Sequence, residues 1–132
     1  MTYRPAASAG REMWSGRPFQ QVMGLEVLGA ILAVYGQDGT CAAVEPRTGR
    51  VWEFRPPPGR VRVRKPEGAD PVVVHVAGSA ITVFSGYRRK LDVVWHYECG
   101  AEITAFDTDG SACAVVALAG EKLYRVETGR GS

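Results

Sequence analysis

Three apolar runs, ILAVYG, VVVHVAG and CAVVALAG, end on Gly36, Gly78 and Gly120, and these glycines stand 42 residues apart. A chain with this period is an array: each unit is too small to bury its own apolar surface and becomes stable by stacking on its neighbours. Within each period the apolar runs are short and rich in Val, Ile, Tyr and Trp, with Gly, Pro, Asp and Ser between them. Helix-type spacing is nearly absent, so the pattern predicts an all-β fold.

The first unit, over 19–55, carries predicted strands at Val22 to Leu28, Ala30 to Gly36, Cys41 to Glu45 and Arg50 to Phe54. Turns at Gln37-Asp38-Gly39, Pro46 to Gly49 and Pro56 to Gly59 supply the positive or fixed φ that chain reversal needs. The second unit, 60–98, has strands at Arg60 to Arg64, Val72 to Ala77, Ala80 to Phe84 and Leu91 to Tyr97. Its last strand, Val94-Trp95-His96-Tyr97, repeats Val51-Trp52-Glu53-Phe54, which puts Trp and the following aromatic on one face. The third unit, 101–130, has strands at Glu102 to Phe106, Ala112 to Ala119 and Lys122 to Glu127, and no fourth. Near the start, Gly10-Arg11-Glu12-Met13-Trp14 reads as the end of a turn and a Trp strand without the rest of its unit. Residues 11–15, with Arg11, Met13 and Trp14, are therefore expected to act as a closing strand, because an open edge and an uncovered apolar face are features that natural sheets avoid.

The segment Ala43 to Trp52 resembles the tryptophan-docking motif of quinoprotein blades, A-x-D-x-x-T-G-x-x-x-W, with Glu45 in place of Asp and one residue fewer before Trp. Tyr124 to Gly129 is similar to the same motif, and Ile103 to Gly110 resembles the first strand and Asp-Gly turn of a WD40-like blade. The resemblance to these β-propellers covers about Trp14 to Arg130 and implies three four-stranded, propeller-type blades in one domain. Closed propellers have roughly four to eight blades. The array is therefore expected to be completed by oligomerisation, as a dimer of three plus three blades or with a partner propeller subunit.

Chemistry is sparse. No Ser-His-Asp set, paired carboxylates or phosphate-cradling G-x-x-x-x-G-K run is present, so the chain is expected to be no enzyme and to carry neither cofactor nor metal. His75 stands where the other units have Ala33 and Ala117 and reads as a hydrogen-bonded core histidine. Asp38, Asp107 and Asp109 are turn residues. Trp14, Trp52 and Trp95 read as inter-blade packing, the alternative being an aromatic ring for a ligand. The three cysteines, Cys41, Cys99 and Cys113, fit a reduced cytoplasmic protein, and neither a signal peptide nor an apolar run near the roughly 20 residues that cross a bilayer is seen.

A net charge of only +2 gives no global field for nucleic acid. Loops between third and fourth strands should nevertheless gather cations on one face: Arg47 and Arg50, then Arg88, Arg89 and Lys90 with Tyr87 beside them to stack, then Arg130. An acidic protein segment is the expected partner there, with a phosphate backbone less favoured. The basic strand Arg60 to Lys65 either lines a central channel or lies at a polar blade interface. The expected function is a non-enzymatic interaction scaffold. A lectin-like oligomer holding sugars between blades against Trp is the alternative, and the redox activity that the quinoprotein motif would imply lacks assignable Ca²⁺ and quinone ligands.

Overall fold

Short β-branched runs and glycine turns produce eleven strands and no helix among the residues that the computed structural model describes, 9–19, 21–37, 39–87, 90–109 and 114–127. They are β1 (Val22–Val27), β2 (Leu32–Gly36), β3 (Cys41–Val44), β4 (Val51–Phe54), β5 (Arg60–Arg64), β6 (Val72–Ala77), β7 (Ala80–Tyr87), β8 (Lys90–Glu98), β9 (Ile103–Thr108), β10 (Ala114–Ala119) and β11 (Lys122–Glu127). Three antiparallel meanders result: β1 to β4, β5 to β8, and β9 to β11, of 4, 4 and 3 strands. We refer to them as sheets one, two and three.

Sheet two lies between the others, and its strand β6 is buried on both faces whereas its edge strand β8 is largely exposed. Along β6, Val73 packs with Ile31, Ala33, Cys41, Ala43 and Phe54 of the sheet-one side, whereas Val72, Val74 and Val76 pack with Ile103, Val115, Ala117 and Ala119 of the sheet-three side. This two-sided burial is why the run is continuously apolar rather than alternating. Each fully buried Val, Ile or Phe contributes about 1.5–3 kcal/mol, and the alanines let the sheets approach closely.

The first strands of the three sheets converge. Arg64 of β5, almost fully buried, pairs with Glu26 of β1 at 3.1 Å and, at 3.3 Å, with Asp107, which stands within β9 and not in the expected turn. Arg60 donates to the carbonyls of Ile103 and Thr104, and the Arg62 guanidinium lies 6.0 Å from the Tyr35 ring and 5.5 Å from that of Phe106. The basic strand is thus a polar interface between sheets. Tyr35 donates to Glu26 and accepts from the Val63 amide, and burial, together with its bond to Glu26, pushes the phenol well above its ordinary pKa.

Two expectations shift. Gly78 and Gly120 each open a two-residue hairpin turn with φ of 57° and 61°, but Gly36 closes β2, and its amide bonds Thr40 across a longer turn. The first unit is therefore out of phase with the others by one residue. A slip of one flips the face: Ala33 points toward sheet two, while His75, on the same face of β6 as Val73, points back toward sheet one. His75 corresponds to Ala117, not to Ala33. The second difference is the β7–β8 hairpin, which is longer than predicted because Ser85, Gly86 and Tyr87 continue the ladder against Asp92, Leu91 and Lys90.

Candidate functional site

The turn from β3 to β4 is built around one carboxylate. Glu45 accepts from the Arg47 amide at 3.0 Å, the Thr48 amide at 3.2 Å and the Thr48 hydroxyl at 2.6 Å, while that hydroxyl accepts from the Arg50 amide at 3.2 Å. Backbone bonds between Glu45 and both Gly49 and Arg50 close it. These bonds, the Thr48 hydroxyl's first, hold the Glu45 carboxyl below the usual range. A carboxylate with a depressed folded pKa stabilises the turn fully above its unfolded pKa and releases it as pH falls through the lower, folded value. Acid titration followed by Trp fluorescence is expected to show this release, and Glu45→Gln to flatten the acid limb.

Trp14 docks on this turn. Its Nε1–H donates to the Pro46 carbonyl at 2.6 Å, and its ring passes 3.0 Å from where a Cβ would stand on Gly49, whose φ is 76°. Only glycine admits both the backbone angle and the indole. Residues 11–15 themselves form no strand in the single chain; Arg11 reaches the Met13 sulfur at 3.8 Å and both side chains are exposed. Trp52 faces the seam between sheets one and two, and Trp95 the seam between sheets two and three. Each tryptophan therefore packs toward the sheet that follows it in the chain. The Trp95 indole N–H is buried without a hydrogen-bond partner.

Of the predicted cations, Arg50 and Lys90 line one cleft of about 720 Å³ with Trp52, Asp70, Ser85 and Tyr87. Arg47 stands exposed on the same turn as Arg50. Arg88, Arg89 and Arg130 lie outside the described residues, as do Asp38 and Cys113. The Arg50 guanidinium sits 4.5 Å from the centre of the Trp52 ring, a cation–π stack. Asp70 was missed from sequence. The available signal is topological: in an antiparallel meander the loop from first to second strand emerges at the same end as the turn from third to fourth.

Groups suited to reaction are tied up. His75 is 6% exposed, donates from Nε2 to the Pro57 carbonyl at 3.0 Å and meets Phe84 edge-on. Burial pushes the Cys41 thiol up to about 12, far from thiolate chemistry at neutral pH. Among the described residues no three His, Cys, Asp or Glu side chains gather as a metal site, and no helix is long and apolar enough to cross a membrane. No family model matches the chain, and neither the curated proteins nor the solved structures contain a match.

Proposed function

We propose that two copies of this chain close into a six-sheet β-propeller, a non-enzymatic scaffold in which residues 9–17 of one copy lie along the β11 edge of the other. The observation that carries this is the docking of Trp14 on sheet one. Trp52 is in the fourth strand of sheet one and packs toward sheet two; Trp95 is in the fourth strand of sheet two and packs toward sheet three. Trp14 packs on sheet one as though it belonged to the fourth strand of a preceding sheet, and sheet three is the one with three strands. A single dyad meets both needs.

The apolar surfaces agree with this closure. On sheet one, β1 leaves Leu25 62% and Val27 74% exposed, and on sheet three Val116, Leu118 and Leu123 are exposed on the face turned away from sheet two. Contiguous apolar faces at both ends of a stack mark association surfaces. The sugar-binding alternative is weaker, because Arg50 already covers the Trp52 ring and Trp95 is packed in a seam.

Cysteine scanned through positions 10–14 against one at position 125 in β11 tests the strand directly. Oxidation is expected to give a disulfide between two chains at one or two of these positions, with folding retained. Failure of every position to cross-link, or bridges only within one chain, would contradict the closure.

A further inference from the structure

The cleft between sheets one and two has the dimensions of a ligand site, which commonly holds 300–1,000 Å³. Its two cations come from different sheets, Arg50 from the β3–β4 turn and Lys90 from the start of β8. Neither forms an ion pair with a described carboxylate, although Asp70 lines the same cleft. Arg50 is also preorganised: the Glu45–Thr48 network fixes its backbone and the Trp52 indole fixes the plane of its guanidinium. A cation already held in place loses little side-chain entropy on binding, so its edge N–H groups are poised for a carboxylate.

The other walls restrict the class of ligand. Val51, 37% exposed, and Tyr87, 48% exposed, offer apolar surface beside the cations, which suits a hydrophobic side chain next to an acidic one. Asp70 repels a run of phosphates, whereas the backbone amides of a peptide can donate to it. We infer that this cleft binds an extended acidic peptide segment, with a carboxylate on Arg50 and Lys90, a neighbouring apolar side chain toward Val51 and Tyr87, and a backbone N–H on Asp70. The cleft lies within one chain, so the inference stands apart from closure of the ring.

The probe is a fluorescein-labelled peptide alternating glutamate and leucine, followed by anisotropy on the full chain, with short duplex DNA and inorganic phosphate as competitors. Saturable binding is expected, weakening with salt, about tenfold weaker in Arg50→Ala and again in Lys90→Ala, since a charge-assisted hydrogen bond carries about a factor of ten or more. Arg55→Ala, an exposed cation beyond the end of β4 that is away from the cleft, is the control and leaves affinity unchanged. No saturable binding, equal binding by the Arg50 and Lys90 variants, or displacement by DNA in preference to unlabelled peptide would overturn the inference. A monomer that binds the peptide would contradict closure alone, and a dimer that does not bind would contradict the cleft alone.

Discussion

Truncation of Phe54 to alanine lowers the stability of the folded chain by about 3–5 kcal/mol, the range for emptying a fully buried aromatic site. Phe54 ends β4 with no exposed surface, among Ile31, Ala33, Cys41 and Ala43 on its own side and Val61, Val63 and Val73 across the seam. Two of these neighbours stop at Cβ, and the strands that carry them are pinned by the ladders of both sheets. The cavity therefore cannot collapse, and the cost falls at the upper part of the range. Urea unfolding is expected to show a lower midpoint at an unchanged slope. Phe54→Leu, which keeps most of the volume, loses less, so a graded series distinguishes packing from a general failure to fold.

Leu118→Asp combined with Leu123→Asp is expected to leave each chain folded and to weaken association about a hundredfold, taking one factor of ten for each carboxylate forced into an apolar contact. Both leucines face away from sheet two and oppose each other across β10 and β11, so the three-sheet core does not use them. In a single chain both lie on the outer face of sheet three, Leu123 73% and Leu118 39% exposed, where substitutions cost far less than in the core. Circular dichroism unchanged with the mass halved is the expected pair of results. Loss of the β signal would mean that this face is part of the chain's own core, and an undiminished assembly would place the contact elsewhere.

The sequence revealed strand positions well because local chemistry decides them. The runs at Arg60–Arg64, Val72–Ala77 and Lys122–Glu127 are bounded by glycine, proline or charged turns, and no tertiary contact moves their ends. The V-W-x-aromatic strands also disclosed their facing, since period-two alternation places Trp52 with Phe54 and Trp95 with Tyr97. Phase was harder to see. Gly36 matches Gly78 and Gly120 in spacing, but its turn is longer, and turn length is set by the Gly36–Thr40 backbone bond rather than by composition. The extended β7–β8 hairpin was hidden for a related reason: Ser85-Gly86 looks like a break, yet strand pairing with Leu91 and Asp92 overrides it.

The cleft was half legible. Loop topology brought Arg50, Tyr87 and Lys90 to one end, whereas the stacking of Arg50 on Trp52 and the approach of Asp70 depend on how two sheets lie together, which no spacing along the chain encodes. The role of Arg64 was hidden likewise. As one of three arginines on an alternating strand it looks no different from Arg60 or Arg62, and only the convergence of β1, β5 and β9 gives it Glu26 and Asp107.

Light scattering on the full chain and on a variant lacking residues 1–16 tests the closure most directly. Twice the chain mass is expected for the full protein, independent of dilution through the micromolar range, and a monomer or heterogeneous aggregate for the shortened one, since removal of the Trp14 segment would expose both the β11 edge and sheet one. A full chain that is a stable monomer, with a mass and folding unaffected by the deletion, would contradict it.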